Sequence, residues 1–228
     1  MLKFYFNGAP NPTKVALFLE ESGTPYEAVP VDTRKGEQHK PEFLKINPNA
    51  KLPAIVDGDV TVFDSSAILL YLAEKTGKFL PAKTDKARGE LLSWMFFVSS
   101  GVGPYFGQAV HFKNYAPEKL PYAINRYVFE GNRHAGILDA RLGQHKYMLG
   151  DTYTIVDMNV WGWARMLPNV VGEGAWDKFK NIKRLVDEIN ARPAAKVAGA
   201  LKDRHKFKTE MDAESLKAMF PHLTEKVA

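Results

Sequence analysis

The chain has 228 residues, 45% of them hydrophobic and 25% charged, with a formal net charge of +5 and no cysteine. That length suits one or two domains that bury roughly 70–75% of the unfolded surface, and the lack of cysteine excludes disulfide frameworks, thiolate metal sites and a protein cysteine nucleophile. No stretch approaches the ~18 apolar residues of a membrane span, and lysines and arginines alternate with acids, as in Glu118-Lys119, instead of forming the basic stripe of a nucleic-acid binder.

In chain order, Leu2–Phe6 reads as a strand too short for a signal peptide's apolar region, so a cytoplasmic protein is the default. Residues 11–21 read as a helix, with Val15, Phe18 and Leu19 at helical spacing and Gly23 as the stop. A second strand covers residues 26–31, and a short helical stretch lies near residues 41–45. Two further strands, residues 54–56 and 60–63, flank the hairpin signal Asp57-Gly58-Asp59. Residues 64–75 form a third helix, ended by Gly77. The order βαβαββα implies a parallel pair joined by a right-handed crossover, followed by an antiparallel hairpin, hence a mixed sheet.

Leu80-Pro81-Ala82-Lys83-Thr84 reads as a linker, and beyond it the pattern is helical throughout. Helices are expected over residues 88–99, 122–143, 155–166, 178–191 and 193–201, with Gly101, Gly103 and Pro104 bending or breaking the first of them. Thr154-Ile155-Val156-Asp157 has the spacing of a capping box. Residues 207–228 read as a mobile tail with one weak helix near 212–219. The basic cluster Lys202, Arg204, His205, Lys206 and Lys208 reads as a solvated face or tail.

Three segments of the first domain carry chemistry. Asn11-Pro12 has the form of an N-cap followed by a first-turn proline, and a helix start also presents free N–H groups and a positive dipole end to an anion such as a thiolate. Pro53 opens a strand as a plain trans proline or as a cis bond that frees the Leu52 backbone for a peptide-like ligand. Asp64 and Ser65 either cap the third helix or provide a carboxylate site at Ser65, with Asp64 holding an ammonium group. The six histidines show no metal-ligand spacing, and no metal is expected. Tyr5, inside a strand, reads as packing.

Taken in order, the run NPNAKLPAIVDGDVTVFDSSAILLYLAEKTG (residues 47–77) resembles the glutathione-binding half of glutathione transferases, and Asn11-Pro12-Thr13-Lys14 with Phe18-Leu19-Glu20-Glu21 is similar to the bacterial nu class related to fungal Ure2-like proteins. The resemblance covers about residues 1–202. It implies a thioredoxin-like glutathione-binding domain over residues 1–80 and an all-helical C-terminal domain over residues 87–206. It implies glutathione as co-substrate, a homodimer, a cis Leu52–Pro53 bond and backbone pairing of Leu52 with the cysteinyl part of glutathione. Asn11 would stabilise the sulfur, where the class often has a Thr two residues earlier and this chain has Ala9. Ser65 would hold the γ-glutamyl carboxylate, with Asp64 in place of the usual Glu; Gln38 and Lys51 would hold the glycyl end; Arg133, in Glu130-Gly131-Asn132-Arg133, would reach a glutathione carboxylate.

The activity so implied is attack of the glutathione thiolate on a small electrophile. The alternatives are a glutathione-dependent disulfide-bond oxidoreductase and a non-enzymatic glutathione-fold binding protein.

Overall fold

The structure, a computed structural model, describes residues 1–223. Its packing divides the chain into two compact units: Met1–Ile68 together with the segment from Lys196 onward, and Leu69–Ala195. The division falls within a helix, away from the linker read at residues 80–84.

In the first unit, β1 (Leu2–Phe6), β2 (Tyr26–Pro30), β3 (Ala54–Asp57) and β4 (Val60–Phe63) form one mixed sheet in the order β2-β1-β3-β4. β1 and β2 run parallel; β3 is antiparallel to both β1 and β4. The alternation along β1 buries Leu2, Phe4 and Phe6 on one face, where Phe4 and Phe6 stack at 5.5 Å. Tyr5 points the other way, onto Phe43 beside Val31 and Ala54, as its reading as a packing residue requires.

Helix α1 spans Pro10–Ser22 and ends at Gly23, whose φ of 67° is the left-handed conformation of a helix stop. It starts earlier than the sequence suggested. The cap residue is Ala9, and Asn11 lies in the first turn. The Asn7 side chain is the reason: its Oδ1 accepts from Ala9 N at 3.0 Å and turns the chain one step sooner, and Pro10 then enters where no N–H is needed. α2 (Pro41–Leu44) follows two 3₁₀ turns, Thr33–Lys35 and Glu37–His39, and α3 spans Ser65–Thr76.

Residues 207–223 of the segment read as a mobile tail are docked on the first unit, and residues 224–228 lie outside the described residues. After α11 (Pro193–Ala200), Phe207 packs edge-on against Phe6 at 5.9 Å. Lys208 N donates to Asp32 Oδ2 at 2.6 Å, and Arg34 Nη1 donates to Lys208 O at 2.8 Å. The weak helix is present as α12, Ala213–Met219, capped by Asp212, which accepts from Ser215 N. Ser215 is fully buried. The sequence hid this docking because backbone atoms make the bonds and few apolar side chains signal them.

The second unit is helical among its described residues. It holds α4 (Asp85–Phe97), α5 (Gly103–Asn114), α6 (Pro121–Gln144), α7 (Ile155–Ala164), α8 (Leu167–Val171), α9 (Ala175–Lys178) and α10 (Lys180–Ala191). The expected break between α4 and α5 is a π turn, Val98–Val102, in which Gly103 N reaches back to Val98 O. Pro104 has no N–H to give, and a wider turn accommodates its ring without ending the helix.

The capping box is formed. Thr154 N donates to Asp157 Oδ2 at 2.8 Å, Val156 N to Thr154 Oγ1 at 3.3 Å, and Met148 N to Asp157 Oδ1 at 2.8 Å. Burial pushes the Asp157 carboxyl up to about 6, against the pull of these donors. Asp157→Asn leaves donors unmet and is expected to lower stability by ~1–3 kcal/mol. Because the folded-state pKa lies above the ordinary value of 3.8, the wild-type group contributes stability that is present below about pH 4 and lost as pH rises through about 6. The melting-temperature gap between wild type and Asp157→Asn should therefore narrow from pH 4 to pH 7.

Candidate functional site

Strand register gathers four segments at one end of the first unit's sheet. Tyr5, near the end of β1, pairs with Ala54 at the start of β3, and Ala54 pairs with Phe63 at the end of β4. Phe6 pairs with Pro30 at the end of β2. The start of α1, the Leu52–Pro53 step, the start of α3 and the 3₁₀ turns carrying Gln38 all lie at that end. Ligands of open α/β sheets collect at the carboxyl ends of strands for this reason.

At the start of α1, Thr13 N and Thr13 Oγ1 both donate to Ala9 O, at 3.2 and 2.8 Å. Asn11 is not the cap, so its amide is half-buried in the first turn beside the positive end of the helix. Ala9 contributes only backbone. The Leu52–Pro53 bond is cis, as the resemblance implied. The loop before it is held by Asn47, almost fully buried, whose Nδ2 donates to Lys51 O at 2.7 Å while Oδ1 accepts from Asn49 N at 3.0 Å. The Lys51 side chain is exposed at this edge.

Asp64 has a φ of 68°, a left-handed conformation that costs a non-glycine residue about 1–2 kcal/mol. Its Oδ1 accepts from Ser66 N at 2.8 Å and Ala67 N at 3.1 Å, and its carbonyl accepts from Ile68 N at 2.9 Å. Asp64 is thus the cap of α3, and these bonds engage every first-turn N–H except that of Ser65. Ser65 itself is buried, with its N–H at the first position of the helix.

Gln38 departs from its expected state. It is only 4% exposed, and Nε2 donates to Ala218 O at 2.9 Å and Thr33 O at 3.4 Å, while Oε1 is buried without a hydrogen-bond partner. Both amide hydrogens are committed to the chain, so in this state Gln38 offers an acceptor and not a donor for a glycyl carboxylate. Ala218 O also lies 3.0 Å from His39 Nε2. The docked segment from Phe207 to Ala218 is what the sequence left out here.

Lys14 was not singled out beyond its motif. It lies one turn after Asn11 and is 1% exposed; burial pulls its ammonium down to about 7, with Asp64 opposing. The signal was its spacing: Lys14 shares a helix face with Phe18, four residues on.

In the second unit, Arg133 lies on α6, its side chain 48% exposed, donating from Nε to Glu130 Oε2 at 2.8 Å. Phe106 is fully buried core. Tyr105 packs on His134 with ring centres 4.8 Å apart. Among the described residues, no group of three histidine or acidic side chains could hold a metal ion, and no helix is long and apolar enough to cross a membrane.

Comparison with known proteins accords with this geometry. The profile of the glutathione S-transferase N-terminal domain matches residues 2–74, and that of the C-terminal domain matches residues 129–193. Two Escherichia coli proteins named disulfide-bond oxidoreductases are each 40% identical: YfcG over 85% of this chain and 92% of its own, and YghU over 86% and 73%. A glutathione transferase from Burkholderia graminis superposes with a TM-score of 0.84 at 36% identity, covering 90% of this chain and 89% of that one; its structure holds two glutathione molecules per subunit.

Lys14→Met tests the electrostatics of this edge. The lowered folded-state pKa means the folded chain disfavours the charged ammonium, a cost present below about pH 7 that fades as pH rises toward the ordinary value of 10.5. The variant should melt at a higher temperature than wild type at pH 6.5, and its advantage should shrink steadily between pH 7 and pH 10.5.

Proposed function

The chain belongs to the glutathione S-transferase family, and on that basis we propose that it binds glutathione, lowers the thiol pKa and directs the thiolate at a disulfide or another small electrophile. The observation that carries this reading is the meeting of two helix starts and the Leu52–Pro53 step at one sheet edge, with Asn11 in the first turn of α1 and Ser65 at the first position of α3. Asn11 is assigned to the sulfur, the Leu52 backbone to the cysteinyl unit, and Ser65 with Asp64 to the γ-glutamyl end. Lys51 is assigned to the glycyl end, and Arg133 to a glutathione carboxylate. Gln38 joins the glycyl end once its amide is released from Ala218 O.

A free thiol of pKa ~8.5 is only a few per cent ionised at pH 7. Lowering that value by ~2 units takes ~2.7 kcal/mol of preference for the anion, within reach of two or three preorganised donors at a helix start. In disulfide reduction, the thiolate attacks one sulfur of RSSR, forms a mixed disulfide and expels RS⁻. A second glutathione thiolate attacks the mixed disulfide, releasing the other RS⁻ and leaving glutathione disulfide. The chain has no cysteine, so both attacking sulfurs are glutathione's. Two relatives named disulfide-bond oxidoreductases and a neighbour holding two glutathiones favour this reaction over conjugation. Moderate activation suits it, because thiolate nucleophilicity falls with pKa and the best attacker has a pKa near ambient pH. A nu-class assignment, a cytoplasmic setting and a detoxifying role follow from the same reading.

Wild type, Asn11→Ala and Ser65→Ala should be assayed side by side for glutathione affinity, reduction of a small disulfide and conjugation of a chloronitrobenzene. Disulfide reduction should dominate in wild type. Asn11→Ala should depress both reactions by raising the thiol pKa. Ser65→Ala should weaken glutathione binding by ~1.5–3 kcal/mol, the worth of a hydrogen bond to a charged group, with the fold intact. Fast conjugation without disulfide turnover would overturn the preferred chemistry, and unchanged affinity in Ser65→Ala would make that residue a helix start and nothing more.

The same reading makes the protein a homodimer. Light scattering at micromolar concentration should return twice the chain mass of 25.6 kDa.

A further inference from the structure

Within the second unit, one buried carboxylate and one buried imidazole converge on a single exposed guanidinium. Glu130 lies on α6 between Arg126, four residues before it, and Arg133, three after; its side chain is 8% exposed while theirs are about half exposed. Its two oxygens are divided between them: Oε1 accepts from Arg126 Nη1 and Oε2 from Arg133 Nε. Both bonds hold the Glu130 carboxyl below the usual carboxylate range. The cluster carries one negative and two positive charges, so a net positive charge faces an incoming anion.

His134 supplies the second hold. Its Nδ1 lies 2.8 Å from Glu130 O, and a carbonyl only accepts, so Nδ1 carries the proton. In the neutral ring Nε2 is then an acceptor, and it lies 3.4 Å from Arg133 Nη2. The ring is fixed by stacking on Phe97, with centroids 5.2 Å apart and an interplanar angle of 26°, and by Tyr105. The π turn leaves room for it. A Cβ at Gly101 would stand 2.6 Å from His134 Nε2, closer than any real contact, so the turn must carry glycine where it passes the imidazole.

We propose that Glu130 and His134 are positioning residues for Arg133, pinning Nε and one edge of Nη2 so that the three remaining N–H donors are set in advance for a carboxylate. The inference rests on the reading above that Arg133 takes a glutathione carboxylate. An arginine free to rotate loses side-chain entropy when it captures a ligand; one already held on two edges loses less, and its planar fork is presented in a bidentate geometry.

The test is a double-mutant cycle on the full-length protein, read as the Kd for glutathione by titration calorimetry. Arg133→Ala should weaken binding about ten- to hundredfold, as expected for a lost hydrogen bond to a charged group. His134→Leu, which keeps the ring's bulk but removes the acceptor, should weaken it about two- to tenfold. In the Arg133→Ala background, His134→Leu should cost nothing more, and His134→Gln should recover part of the loss in the Arg133 background by restoring an acceptor. Glu130→Gln provides a second cycle with the same expected pattern should His134→Leu fold poorly. Arg133→Ala weakening binding while His134→Leu and Glu130→Gln leave it unchanged would overturn the positioning role alone. Losses that add fully in the double variants would show that the two residues act through the fold and not through Arg133, and would overturn it equally. An unchanged Kd in Arg133→Ala would instead overturn the assignment of Arg133 to glutathione, and the positioning role with it.

Discussion

Ala54 is paired on both sides, with Tyr5 of β1 and with Phe63 of β4, and this double pairing decides which segments of the first unit meet at one edge of its sheet. Antiparallel pairing puts the start of one strand beside the ends of its neighbours. The loop that enters β3 therefore lies beside the loops that leave β1 and β4. Each of those departing loops becomes a helix within a few residues, so two positive helix ends share one edge of the sheet. A one-residue slip would turn every inward side chain outward, and the burial of Phe4 and Phe6 on one face of β1 holds the register against it.

This arrangement suits a protein that does not own its nucleophile. With no sulfur of its own to ionise, the chain can only change the energy of a borrowed one, and fixed dipoles do so without reorganising during the reaction. The left-handed Asp64 belongs to that design. Its carboxylate consumes the N–H groups of Ser66 and Ala67, which narrows the anion-binding capacity of α3 to the N–H of its first residue. Strain of this kind persists where the surroundings over-determine it, and here three hydrogen bonds to one residue do so.

The mixed sheet, the helical second half, the cis Leu52–Pro53 step and the Thr154–Asp157 capping box were legible in the sequence because each rests on local pattern or on a contiguous motif. What escaped depends on partners far along the chain or on competition between neighbours. Asn11 looked like a cap, but Asn7, four residues earlier, closes the turn first. Gln38 could be placed by resemblance, but its hydrogen-bond state could not, since the acceptor is a backbone carbonyl at Ala218. Gly101 and Pro104 marked an irregularity; Pro104 accounts for the wider turn, and the position of His134 explains why glycine stands in it. His134 was not singled out by spacing, because neither its stacking on Phe97 nor its tie to the Glu130 carbonyl leaves a trace there.

The docked segment also fixes an order of events during synthesis. Gln38 and Ala218 are 180 positions apart, yet one hydrogen bond joins them, and Asp32 is joined to Lys208 in the same way. A ribosome adding about 5–20 residues per second takes roughly 9–36 s to cover that interval. Phe6, Asp32 and Gln38 are therefore synthesised long before the segment that packs on them. The helical unit, Leu69–Ala195, is synthesised in between. The domain that begins the chain thus cannot acquire its last contacts until the chain is nearly complete.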